Sequence, residues 1–283
     1  MTRHAKIFEV MEEEGKGMEK RPFQFMNIPE RSQKPRDKGI TMMIDWGIGV
    51  ARQKDILEIA GEAIDIAKIA VGLSGIISEK VLTEKIRVYN DYRVDAFIGG
   101  QFLEYGIFHQ GLDVGKRYFE EARRLGFKLV EVSDNNLKIT PEDKFELIRM
   151  GSRDFGLRIL GEVGSKTEMS SAEAMVGGIK GCLAHGAWKV FVEGAEFTDK
   201  NDGTLLEDVI EGVTKGVDLK DILFELPGRW ISNVHGCGIH DMEVFLVDRF
   251  GAEVNIANVQ PDEIMELETL RTGVGVKLKQ KSP

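Results

Sequence analysis

Two cysteines in 283 residues, Cys182 and Cys237, are too few for a multi-bridge disulfide framework or for a metal site made of four thiolates. Two reduced thiols are the expectation. Long apolar runs are also wanting. No stretch approaches the roughly 20 residues that cross a bilayer, and the opening MTRHAKIFEVMEEEGKG lacks the uninterrupted apolar core of a signal peptide. A cytoplasmic protein with no membrane span is therefore expected. Positive charge is scarce too: Lys and Arg number 38 against 47 Asp and Glu, a formal charge of -9. A general binder of nucleic acid or of an anionic membrane would carry a basic footprint instead. A locally positive pocket for a small anion stays compatible with that balance. No low-complexity stretch interrupts the chain, and no GxGxxG follows an early strand, which weighs against an open dinucleotide-binding sheet.

What the chain does have is a repeated alternation of two periods. Its 42% hydrophobic content suffices for a sizeable core, and eight short apolar runs recur: ITMMID, IDIAKIAV, VDAFIG, KLVEVS, LRILGEV, WKVFVEG, DILFELP and VNIANV. Continuous runs rich in branched residues read as parallel strands buried on both faces. Helical stretches lie between them, over Gln53 to Ala60, Ser78 to Tyr92, Val114 to Leu125, Pro141 to Asp154, Ser170 to Ala184, Thr204 to Lys215 and Asp241 to Phe250, with Pro261 to Arg271 closing the series. Ser78 and Thr140 stand as N-caps, and Gly126, Gly156 and Gly251 stand where helices end. Eight strand–helix units in a row predict an α/β fold, a closed (β/α)8 TIM barrel, with a doubly wound open sheet as the alternative. Residues 1–38 read as an N-terminal extension, 39–276 as the barrel and 277–283 as a tail. Within the extension, Phe23, Phe25 and Met26 are expected to cover a core edge or to make a subunit contact, so a homo-oligomer is expected.

A barrel gathers the C-terminal ends of its strands around one mouth, and almost every run here ends in a polar group. Asp45 closes the first run, and Lys68 interrupts the second, where it must be paired or face the interior. Glu104 follows the third beyond Gly99-Gly100; Glu131 and Asp134 close the fourth; Glu162 and Lys166 belong to the fifth, Glu193 and Glu196 to the sixth, Glu225 to the seventh, and Asn255 and Asn258 to the eighth. One or two such acids would read as caps or ion pairs. Carboxylates at matching ends of five strands predict a divalent cation together with the lysines, because an unpaired buried carboxylate is costly. Oxygen-only ligands favour Mg2+ or Mn2+ over zinc. His235 and His240, five apart beside Cys237, lack a helical zinc spacing. Lys166 after GEVG suits a general acid or base whose pKa is tuned by its surroundings. The segment GRWISNVHGCGIH is the longest glycine- and histidine-containing connection, and it is placed on the active face.

At these residues the chain resembles the phosphosulfolactate synthase family. The stretches that carry the likeness are GITMMIDWGIG, IDIAKIAVG, FIGGQFLEYG, LGFKLVEVSDNNLKIT, EVGSK, VFVEG, ILFELP, AEVNIANV and LETLRTG, in the family's order from Lys38 to Gly275. The resemblance implies a (β/α)8 barrel that adds sulfite to phosphoenolpyruvate with Mg2+, giving (2R)-3-phospho-sulfolactate on the route to coenzyme M. It also implies roles: Lys166, Lys68 and Asp134 as catalytic groups; Asp45, Gln101, Ser133, Arg229, Asn255 and Asn258 around the substrate; and Glu104, Glu131, Glu162, Glu193 and Glu225 around the metal. The chain departs from the family's pattern at four places. A threonine is replaced by Gln101, a glycine by Asn135, a lysine by Ser165 and an arginine by Ala195, and the last change removes a guanidinium able to clamp phosphate or carboxylate. Arg229 is the candidate to restore that charge. Two other readings accompany the synthase: the same barrel acting on a different enol phosphate or small organic acid, and a non-catalytic stress or scaffold protein.

Overall fold

Strands with apolar residues at both odd and even positions have no face to give to water, so each needs cover on two sides. The protein, described by a computed structural model at residues 22–164, 170–199, 204–228 and 236–275, supplies that cover by closing eight parallel strands into a barrel in sequence order. The strands are β1 (Thr41–Asp45), β2 (Ile66–Ile69), β3 (Asp95–Ile98), β4 (Leu129–Val132), β5 (Arg158–Val163), β6 (Ala187–Val192), β7 (Ile222–Glu225) and β8 (Ile256–Val259). Around them stand α1 (Val50–Ala60), α2 (Glu79–Asp91), α3 (Gln101–Gln110), α4 (Val114–Leu125) and α5 (Pro141–Arg149). The ring is completed by α6 (Ala172–Ala184), α7 (Glu207–Gly216), α8 (Gly236–Phe250) and α9 (Ile264–Thr272). The expected closed barrel is the observed one, and the open sheet is set aside.

One helix was not expected. Gly99 and Gly100 end β3, and the chain turns at once into α3, so two helices rather than one precede β4. Gly100 is required by its neighbour: a Cβ there would sit 2.3 Å from the Ser133 hydroxyl, while one on Gly99 would lie 3.2 Å from the Val71 backbone nitrogen. Further on, Thr140 caps α5 as expected, accepting from the Asp143 N–H at 3.1 Å. The last turn of that stretch widens into a π-turn over Met150–Asp154.

Parity along the strands decides what the interior contains. Met42, Ile66, Phe97, Leu129, Leu160, Phe191, Leu223 and Ala257 point inward and form one packed layer with Ile40. Outward neighbours such as Met43, Ala67, Ile98, Val130 and Phe224 join the larger core under the helices. Since side chains alternate along a strand, the next inward position lies two residues on: Ile44, Lys68, Gly99, Glu131, Glu162, Glu193 and Glu225. In β8 the count slips, because Thr41 pairs with Ile256 but Met43 with Val259, so two residues of β1 face three of β8. This bulge carries Asn258 with φ 63°, and it re-aims a side chain that strict alternation would turn outward.

The opposite end is tied shut by the segment that leads into β1. Arg31 pairs with Glu268 at 2.6 Å, and Arg36 with Asp65 at 2.9 Å. Lys34 donates to the Gly61 carbonyl at 2.6 Å, and Lys189 to that of Asp37 at 2.8 Å. The compact unit that holds the barrel accordingly starts at Arg31.

Candidate active site

The inward layer above Phe97 and Phe191 forms the floor of a mouth. Its cavity, about 430 Å3 of empty space open to solvent, is lined by Ile44, Lys68, Gly99, Glu131, Glu162, Glu193, Glu225 and Asn258, with Trp46, Val71 and Gln101 at the rim. Four glutamates in one layer, each 2% exposed, are an expensive arrangement unless something positive joins them.

Lys68 is one such group. Its ammonium lies 2.8 Å from Glu225 Oε1 and 3.1 Å from Glu131 Oε2, and it sits 4.8 Å from the centre of the Phe191 ring. Burial pulls its pKa down, but Glu131, Glu225 and Glu162 more than reverse that, so the lysine titrates above its ordinary range and stays charged. A charged Lys68 can bind and orient an anion. Beside it, oxygens of Glu162, Glu193 and Glu225 lie within 4.8 Å of one another. A buried donor set made only of carboxylate oxygens fits a hard divalent cation.

Not every acid expected at the mouth is there. Asp45 ends β1, but its parity is outward. It is fully buried behind the barrel wall, where Lys85 meets it at 2.7 Å, the Tyr89 hydroxyl donates to it at 2.6 Å, and the Gly47 and Ile48 N–H groups donate to its other oxygen. Burial and then Asp45 push the Tyr89 phenol well above its ordinary pKa. Asp45 therefore shapes the β1–α1 loop and does not line the cavity. Glu104, one turn into α3, is likewise committed. It accepts from the Ser133 hydroxyl and from the N–H groups of Asn135, Asn136 and Leu137, at 3.3, 2.7 and 2.8 Å for the three backbone donors. Both Glu104 and Ser133 thus brace the β4 loop away from the three-glutamate cluster. Asp134 turns the other way, to the buried Lys144 at 2.7 Å, and lines a separate cavity with Phe145 and Cys182, the latter a free buried thiol.

Asn255 is at the wrong end of its strand for a substrate contact. It precedes β8, where its Nδ2 donates to the carbonyls of Leu219, Lys220 and Ile222 at 3.1, 3.2 and 2.8 Å, and its Oδ1 accepts from the Ile40 N–H at 2.9 Å. This side chain staples the base of the barrel. Asn255→Ala is expected to cost about 2–3 kcal/mol by leaving buried backbone groups unsatisfied. Urea denaturation should register the loss, while kcat of the folded fraction is unchanged. Gln101 and Asn258 do reach the mouth. Lys166 and Arg229 lie outside the described residues, as does Cys237's side chain.

Lys85 and Lys144 were not picked out in the sequence, and Asn135 was noted there only as a departure from the family's pattern. Lys85 lies in α2 between Leu82, Ile86 and Tyr89, and Lys144 in α5 with Leu147 and Ile148; all are buried. A lysine inside an i, i+3, i+4 apolar stripe is the readable signal, since it must find an acid or a carbonyl when it is buried. Asn135 gives no such signal. Its amide donates to Glu162 Oε1, a contact that only the folded β4 loop creates. Val71, at the rim with φ 49°, is a β-branched residue in the left-handed region, a strained conformation of the kind held at ligand sites.

The family model for (2R)-phospho-3-sulfolactate synthase (ComA) matches residues 29–276. Over 261 residues the chain is 31% identical to the phosphosulfolactate synthase of Methanothermobacter thermautotrophicus, covering 89% of this chain and 95% of that protein. It is 30% identical over 247 residues to that of Methanocaldococcus jannaschii, covering 84% and 92%. In fold it is similar to a truncated 3-deoxy-D-arabino-heptulosonate 7-phosphate synthase from Thermotoga maritima, with a TM-score of 0.54 at 11% identity over 85% of this chain and 89% of that one. A barrel matched along nearly its whole length, with a carboxylate-rich mouth on the strands that carry the shared stretches, belongs to the phosphosulfolactate synthase family as a divergent member.

Proposed function

We propose that this barrel joins sulfite to C3 of phosphoenolpyruvate, as a lyase working in the synthase direction. The observation that carries the reading is the charged layer itself: Lys68 fixed between Glu131 and Glu225, beside three carboxylates whose oxygens approach within 4.8 Å. Glu162, Glu193 and Glu225 would hold a divalent cation, Mg2+ by the hardness of its ligands. When bound, the cation would stabilise negative charge gathering on the substrate carboxylate.

The chain's own residues do the rest. Lys68, charged and immobilised, orients the anionic end of the substrate at the floor of the mouth. Phe97 and Phe191 beneath it keep water from below, which strengthens the pull of the ammonium. Gln101, at the first turn of α3, and Asn258, on the β8 bulge, offer neutral polar groups at the rim. As sulfur donates its lone pair to C3, the C2–C3 π pair moves onto C2 and the carboxylate, and a proton must return to C2. Lys166 is the residue we assign to that proton, by its family position. Asp134 is the weaker candidate, since its carboxylate is engaged by Lys144.

The direct test is to incubate the protein with phosphoenolpyruvate, sulfite and Mg2+ and to follow phosphosulfolactate by mass spectrometry, with an EDTA-treated sample and Lys166→Ala in parallel. Product in the complete mixture, lost in both controls, is the expected result. Silence with phosphoenolpyruvate and sulfite, but turnover on another enol phosphate or small organic acid, would transfer the site to a different substrate. The buried Ala195, where the family carries an arginine, is the specific reason to include that panel. No turnover and no ligand binding would favour the non-catalytic reading.

A further inference from the structure

Most of the β4 loop is held by one carboxylate. Glu104 takes a hydroxyl and three backbone N–H groups from Ser133 to Leu137, and this folds the loop back against the end of β5. The consequence falls on Asn135. It is 7% exposed, and its Nδ2 donates to Glu162 Oε1. From the other side, the Lys144 ammonium reaches the Glu162 main-chain carbonyl. Glu162 is thus gripped at backbone and side chain by two groups that do not line the mouth.

We infer that Asn135 is a positioning residue for the three-carboxylate cluster, setting the plane in which Glu162 presents itself beside Glu193 and Glu225. A glutamate side chain ending in a broad two-fold torsion rotates readily, and a donor locked on one oxygen removes that freedom before any ligand arrives. The Asn135 main chain is itself anchored, because its backbone N–H is bound to Glu104. Its Oδ1 is buried with no hydrogen-bond partner. The residue therefore bears a desolvation cost that its contact with Glu162 must offset. The family glycine at this position, noted from the resemblance, has no side chain with which to make the contact. Asn135 is a device of this chain.

The inference rests on the divalent-cation part of the proposed function and not on its substrates, so the test uses the metal alone. Mn2+ would be titrated into the apoprotein and free Mn2+ read by electron paramagnetic resonance, for the parent, Asn135→Gly and Asn135→Leu. Outer partners of metal ligands typically contribute about 10–100-fold in affinity. A weakening of that size is expected for Asn135→Gly with its thermal midpoint close to the parent's. Asn135→Leu, which keeps the bulk of the side chain without its donor, should lose affinity to the same extent. Parental affinity in Asn135→Gly or in Asn135→Leu overturns the inference, as does a parent that binds no Mn2+. Metal binding that depends on Asn135 without phosphosulfolactate formation would sink the substrate reading and leave this one standing. Turnover with Asn135-independent affinity would do the reverse.

Discussion

Replacing Lys68 by methionine is expected to abolish turnover and to lower the unfolding free energy by about 3–5 kcal/mol, the usual cost of removing one partner from a buried ion pair. Methionine keeps most of the stem over Phe97 and Phe191, so packing is largely preserved and the change isolates the charge. Glu131 and Glu225, each 2% exposed, then lose the cation at 3.1 and 2.8 Å. Guanidinium melts at pH 8 should show the deficit. Added Mg2+ should recover part of it, since the cation would neutralise Glu225, which belongs to both sets. A variant that melts with the parent at pH 8 would mean that Lys68 is not the counter-charge of the layer.

Glu243 gives the second large effect. It sits on the seam between α8 and α9, 3% exposed, with one oxygen lacking any hydrogen-bond partner. Burial first, then Glu263 and Glu266, push its carboxyl from the ordinary 4.5 up to about 8, with Arg271 opposing them. His240 faces the same cluster, 3.0 Å from Glu266. The sign follows from the two states: between pH 4.5 and 8 the folded chain keeps a proton that the unfolded chain releases, so stability is lost across that window. The loss is on the order of 3–5 kcal/mol by pH 8. Glu243→Gln removes the titration while keeping the shape, so it should stabilise the protein by that amount at pH 8 and scarcely change it at pH 4. Parallel melting curves for the two proteins across the range would overturn the assignment.

The barrel was legible because its evidence is local and repeated. Each apolar run needs cover on both faces, and each is followed by a helix with its own stop, so the strands of the closed sheet coincide with the runs from ITMMID to VNIANV. The extra helix α3 was hidden because Gly99-Gly100 looked like the tail of a strand rather than the start of a turn. The site was legible by composition and blurred by parity. Glu131, Glu162, Glu193 and Glu225 lie two residues beyond inward-facing apolar positions, and counting by two from Leu129, Leu160, Phe191 and Leu223 finds them. Asp45 lies three beyond the inward Met42, and the same count turns it to the helices. Asn255 fails for direction along the strand: a residue before β8 belongs to the base, however close it stands to Asn258 in sequence. Asn258 itself defeats the count, since a bulge is a feature of pairing between strands that neither strand announces alone. Asn135 depends on Glu104, 31 residues away, a tertiary contact without periodicity to betray it.

The layer of Met42, Ile66, Phe97, Leu129, Leu160, Phe191, Leu223 and Ala257 closes the barrel beneath the carboxylates. Among the described residues there is no back door, so in the proposed reaction the two reactants and their joined product would share one passage. A finished molecule stands in the way of the next pair until it departs, so product is expected to compete with substrate for the same space. Turnover at saturation then becomes a question of traffic as much as of bond formation.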